Sequence, residues 1–213
     1  MKILIRNDSV VIEGYVNAVE RNSNPLVSRI GRFIERIRKG AFSNALKRSD
    51  DVHLLLNHDW NKDWGSLMRG NLELAEDNIG LFARATITEP EGIEKARRGD
   101  FVGWSFGFKD VPNGVEVGTE KGMMLREVKD LDLKEVSILD RTRKPAYDGT
   151  LIWARSEEDI HFRSDEFIDE VEVIDETDET REIQPQQEEH PEAIKVIDYS
   201  IYDSMIAEMK GEK

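Results

Sequence analysis

The stretch GDFVGWSFGF, residues 99–108, sets Ser105 among glycines and large aromatic residues. Residues 103–107 spell Gly-Trp-Ser-Phe-Gly, a G-x-S-x-G pattern, so the hydroxyl of Ser105 is a candidate nucleophile. The α/β-hydrolase elbow with this pattern needs a strand, a sharp turn and a helix, then an acid and a histidine further along the chain. The residues after Gly107, FKDVPNGVEVG, contain proline and glycine and cannot open a helix. The histidines beyond Ser105 are His161 and His190, both in an acidic tail. The elbow is therefore rejected. Read as a strand, the stretch puts Trp104, Phe106 and Phe108 on one face and Gly103, Ser105 and Gly107 on the other. The aromatic face suits a core. The Gly-Ser-Gly face leaves a flat notch where another backbone can approach, a sensible place to attack a peptide. Glycines in a strand equally mark a β-bulge, in which case Ser105 is structural.

A serine nucleophile needs a base and a group that orients the base. His53 and His58 precede Ser105 in DVHLLLNHDW. His53 begins an apolar run and reads as structural. His58 ends it, beside Asn57 and Asp59, where strand meets loop and a general base could reach a neighbouring strand. The alternative is a solvated loop histidine. A zinc site is the weaker reading, because His-x4-His is not a one-face ligand spacing and no cysteine assists. For the third group, LKEVSIL offers Glu135 within an apolar strand, where burial would demand a partner. Strict alternation would put Leu133, Glu135, Ser137 and Leu139 on one face. If that face is wet, Glu135 is merely solvated. Asp132 is the fallback for the third role.

Composition limits the classes open to the chain. It has 213 residues, 38% hydrophobic and 35% charged, which suits one medium domain with an appendage, or two small domains. It has no cysteine, which excludes disulfides, thiolate metal sites and cysteine nucleophiles. No window approaches the ~20 apolar residues of a membrane span, and MKILIRNDSVVIEG lacks a signal-peptide core. A soluble protein made in the cytoplasm is expected. The net charge of −14 is concentrated at one end. Ser156–Lys213 holds 20 acidic and 5 basic residues, whereas Met1–Arg155 holds 24 and 25. Such a tail argues against nucleic-acid binding and favours solvation or a basic partner.

The elements that must position these residues read as mostly β. ILIRNDSVVIEGYVNAV suggests two strands joined at Asn7-Asp8, VHLLLN a buried strand, and FVGWSFGF another. LELAEDNIGLFARATI alternates on both sides of EDNIG and reads as a hairpin. MMLREVKDLDLKEVSIL adds one or two strands. Helices are expected over 40–49 and over 89–100, the latter with Pro90 at its start and Gly99 at its end. Residues 1–155 form the body on this reading, and 156–213 an acidic, largely disordered tail. Ile194, Ile197, Ile201, Met205, Ile206 and Met209 allow a short amphipathic docking helix near the end, or a weakly structured terminus.

Together the pieces resemble the prohead, or capsid maturation, proteases of tailed bacteriophages. IERIRKGAF (34–42), VHLLLNHD (52–59), LELAEDNIGLFARATI (72–87), RGDFVGWSFGF (98–108) and LKEVSILDRTRKPAYDGT (133–150) resemble that family's segments, in its order. Trp104 stands where the family commonly has methionine and is expected to face the core. The family is similar in fold to herpesvirus assemblins, which implies an α+β, mainly β protein with a β-barrel ringed by a few helices. The resemblance implies a serine endopeptidase with Ser105 as nucleophile, His58 as general base and Glu135 as third member. It needs no cofactor or metal. It implies scaffolding segments and the major capsid protein as partners and substrates, with the enzyme packaged in the immature capsid and often cutting itself. Homodimerisation, as in assemblins, is compatible with it. By the same analogy the segment DRTR, 140–143, is a candidate for the oxyanion hole. The competing class is a catalytically inactive capsid-assembly scaffold of the same fold. A general esterase is a third option.

Overall fold

A computed structural model describes residues 1–28, 31–142, 160–163 and 171–177. The strands are β1 (Lys2–Ile5), β2 (Val10–Ala18), β3 (Leu26–Ser28), β4 (Gly31–Ile37), β5 (His53–Leu56), β6 (Asp59–Ser66) and β7 (Leu72–Glu76). They continue as β8 (Gly80–Ile87), β9 (Phe101–Asp110), β10 (Val115–Glu120), β11 (Met123–Val128), β12 (Leu131–Asp140), β13 (His161–Arg163) and β14 (Glu172–Asp175). Among the described residues two helices, α1 (Ala41–Arg48) and α2 (Pro90–Arg97), interrupt them. The fold is thus α+β and mainly β.

Local chemistry accounts for the turns. Between β7 and β8 the Asp77 carboxylate accepts from the N–H groups of Ile79 (2.7 Å) and Gly80 (3.0 Å), closing the expected hairpin as an Asx turn. Gly80 has to be glycine, because a Cβ there would press on the Asn17 backbone of β2. Helix α1 lacks a capping side chain of its own. Glu76 at the end of β7 supplies one, accepting from the N–H groups of Gly40 and Ser43, both at 2.7 Å. Helix α2 starts with proline and is followed by Gly99 at φ 67°, as its start and stop residues predict.

The strands pair into three sheets, ordered β14-β1-β2-β8-β7, β10-β11-β4-β3 and β13-β9-β12-β5-β6. One hydrophobic core draws from all three, with Ile3, Ile12 and Ala83 from the first, Ile37 and Val128 from the second, and Leu54, Phe106 and Val136 from the third. The barrel implied by the family resemblance does not close among the described residues. Closure needs the end strands of a sheet to pair with each other, and here each sheet keeps two edges.

Two findings depart from simple alternation. In β12, Leu133 pairs with Phe108 and Glu135 with Gly107, so Lys134 is an extra residue, a β-bulge. The bulge reverses the facing of every later residue in the strand. Leu133 joins Val136 and Ile138 in the core, while Glu135 and Ser137 lie opposite Gly107 and Ser105. Leu133 and Glu135 therefore do not share a face. In addition, β13 and β14 lie beyond residue 155, in the segment expected to be largely disordered. Strand β13 pairs antiparallel with β9 and β14 pairs parallel with β1. Three- and four-residue strands in an acidic context carry almost no local signal, and their partners are distant in sequence. The amphipathic stretch at 194–209 lies outside the described residues.

Candidate active site

The sheet β13-β9-β12-β5-β6 brings three side chains to one place. Ser105 comes from β9, and Glu135 from the adjacent β12. His58 comes from the two-residue turn that joins β5 to β6. Asn57 and His58 both have positive φ, 54° and 60°, the pairing found in type I′ hairpin turns. Left-handed backbone is uncommon for histidine and here is held in place by neighbours. The His58 N–H donates to Ser137 Oγ at 3.0 Å, and the Asn57 N–H to the Ile138 carbonyl at 3.0 Å. The turn aims the imidazole back across β12 toward β9.

Ser105 Oγ lies 2.7 Å from His58 Nε2, and His58 Nδ1 lies 2.8 Å from Glu135 Oε1. An ionised carboxylate can only accept, so the imidazole carries its proton on Nδ1 and leaves Nε2 free to accept from the serine hydroxyl. Glu135 is fully buried, and its second oxygen accepts from Ser137 Oγ. Both carboxylate oxygens are thus satisfied, the condition for a charge in this position. Gly107, opposite Glu135, must lack a side chain, because a Cβ would fall on Glu135 Oε1. The glycine notch around Ser105 therefore makes room for the carboxylate on its Gly107 side. Trp104 and Phe106 turn into the core, as expected.

Sequence reasoning missed a second layer. Asp140, 1% exposed, accepts from Asn57 Nδ2 at 2.9 Å, and its N–H donates to Asn57 Oδ1 at 3.1 Å. Its other oxygen meets Lys95 Nζ of α2 at 2.6 Å. This buried pair clamps the turn that presents His58. A lysine in a short, highly charged helix gives no local sign of it. Burial alone would raise the Asp140 pKa, but Lys95, Thr142 and Asn57 hold it well below the usual carboxylate range. Because the folded pKa lies below the unfolded one, the stabilisation is complete above about pH 4 and is lost as pH falls further. Asp140→Ala strands Lys95 without its buried partner. We expect a loss of about 3–5 kcal/mol at neutral pH. Urea denaturation of both proteins across a pH series should show the difference narrowing in acid.

The remaining candidates resolve differently. His53 pairs with Asp63 at 2.9 Å and packs edge-on against Trp60. Asp132 pairs with Lys134 and does not meet His58. His161 sits on β13, its Nε2 3.4 Å from Asp110 and its ring against Phe108, away from the serine. His190 lies outside the described residues. Of the DRTR segment, Arg141 N–H donates to the Asp100 carbonyl and Thr142 N–H to the Asp140 carboxylate. Neither is free as an oxyanion donor, and Arg143 lies outside the described residues.

Arg163 was not anticipated. Its carbonyl oxygen lies 2.7 Å from Ser105 Oγ. A single hydroxyl proton therefore has two acceptors in reach, His58 Nε2 and this carbonyl. No curated protein matches the chain. A family model described as caudovirus prohead serine protease matches residues 2–163.

Proposed function

Because the chain belongs to the caudovirus prohead serine protease family, we propose that Ser105 is its nucleophile, His58 its general base and Glu135 the carboxylate that orients the base. The reading rests on one observation, the continuous relay from Ser105 Oγ through His58 to Glu135 at 2.7 and 2.8 Å. His58 Nε2 takes the hydroxyl proton as Oγ attacks the scissile carbonyl. Glu135 keeps the proton on Nδ1 and offsets the charge of the imidazolium. The proton then passes to the leaving amine, and water releases the acyl-enzyme by the same relay. The low exposure of the three groups strengthens these interactions relative to water.

The protease acts in phage head maturation. Its substrates, on this reading, are scaffolding and capsid protein segments and its own chain, cut inside the immature capsid in the host cytoplasm. The acidic tail, residues 156–213, would tether the enzyme within the shell or be removed by it. The three sheets around one core would correspond to the assemblin arrangement. Among the described residues no helix is long and apolar enough to cross a membrane.

Co-expression with the capsid protein of the same phage tests the reading. The capsid protein should be shortened by the wild-type chain and stay full length with His58→Ala. A full-length capsid protein beside the wild-type chain would instead favour a non-catalytic scaffold of the same fold.

A further inference from the structure

Ser105 is only 1% exposed, and the protein's own chain covers it. Strand β13 lies antiparallel along β9, with Phe162 opposite Gly107 and Arg163 opposite Phe106, next to Ser105. The Phe162 ring packs on the His58 imidazole, centroids 4.4 Å apart. Peptide substrates can bind this way, as an extended strand added to a sheet edge, with side-chain pockets for specificity.

The Arg163 side chain fills such a pocket. Its Nε donates to Glu35 Oε1 at 2.6 Å, and its Nη2 to Glu35 Oε2 at 3.0 Å. The guanidinium also lies over the Phe108 ring, 5.5 Å from the centroid. Glu35, on β4, is 3% exposed. It also accepts from Arg126 Nε at 2.7 Å, and Arg126 pairs in turn with Asp110. Burial alone would push the Glu35 carboxyl up, but Arg163 and Arg126 hold it below its usual range. Without Arg163 the slot would hold two carboxylates and one guanidinium, a net negative pocket. Its two-point contact matches the planar fork of arginine better than the single ammonium of lysine.

We infer that Glu35 forms the base of the specificity pocket, that the enzyme prefers arginine before the scissile bond, and that it cuts its own chain between Arg163 and Ser164. The inference rests on the protease reading above. For attack, the Arg163 carbonyl must turn so that its carbon, rather than the oxygen that accepts from the hydroxyl, faces Ser105 Oγ. Oγ bonds to that carbon as its proton passes to His58. The bond to the Ser164 nitrogen breaks, and His58 returns the proton to that nitrogen. Water then hydrolyses the ester, leaving Met1–Arg163 with a new carboxylate and Ser164–Lys213 with a new amine. The cut removes 17 of the 44 acidic residues and 4 of the 30 basic ones, moving the formal net charge of the body from −14 to −1.

The test is intact mass and N-terminal sequencing of the full chain, expressed with its capsid protein. A body ending at Arg163 and a fragment beginning at Ser164 are expected, with a rate independent of protein concentration. Arg163→Ala should slow this cut by roughly 100-fold or more, and Arg163→Lys by less. Glu35→Gln should reduce turnover of an arginine peptide. If that variant does not fold, the two Arg163 variants still decide. Capsid protein processed while the Arg163–Ser164 bond stays intact overturns this inference and leaves the protease reading standing. An Arg163→Ala chain cut at 163–164 as fast as wild type also overturns it. Neither protein cut overturns both.

Discussion

Ser105→Ala should yield a folded protein whose proteolysis falls by a factor on the order of 10⁴ or more. The substitution removes one buried oxygen from a strand and adds nothing to it. Phe106 and Phe108 keep their places in the core, and the β9–β12 pairing does not depend on the hydroxyl. Stability should change by no more than about 2 kcal/mol, the scale of a lost buried hydrogen bond. Turnover, by contrast, should fail with loss of the hydroxyl that meets His58 Nε2. Ser137, a second hydroxyl beside this relay, has its oxygen engaged by Glu135 and the His58 N–H and faces the carboxylate end of the imidazole. The measurement is the initial rate of capsid-protein shortening beside a thermal melt. A folded variant within tenfold of wild type would remove Ser105 from the role of nucleophile.

Glu135→Gln should cost roughly 10³–10⁴ in rate while preserving the shape of the site. Glutamine is nearly isosteric but offers one acceptor and one NH₂ group where glutamate offers two acceptors. Both oxygens of Glu135 are in use, one by His58 Nδ1 and one by Ser137 Oγ. If the NH₂ group faces the imidazole, it forces the proton onto Nε2, and the ring can no longer accept from Ser105. If the amide oxygen faces it, the imidazolium formed on attack lacks its counter-charge. Either way the barrier rises. The proton resonance of His58 Nδ1 reports the first outcome and the rate reports both. An unchanged rate would show that His58 needs no carboxylate.

The glutamate variant also shows where local reading stops. The strand LKEVSIL, its apolar pattern and the misplaced-looking Glu135 are plain in the sequence. Which face Glu135 occupies is not, because the bulge at Lys134 shifts the register against β9. Without it, Glu135 would follow Leu133 into the core, where it would have no partner. In the same way His58 is legible as a loop histidine, but its aim depends on two left-handed residues and on Asp140, far along the chain.

The sequence by itself determined the residue types, their order and the strand periods: a serine on a glycine face, a histidine at a strand end, a carboxylate in an apolar run. It also determined the mainly β class and the uneven charge. These are local properties, set by side-chain chemistry and by the two-residue repeat of a strand. Only the tertiary structure decided which faces meet. It placed β12 between β9 and β5, so that three weak candidates became one relay. It also laid a stretch of the acidic tail along β9, with Arg163 against Glu35 across 128 positions of chain. Such pairings arise from the burial and hydrogen bonding of distant segments, and no window of the sequence contains both partners.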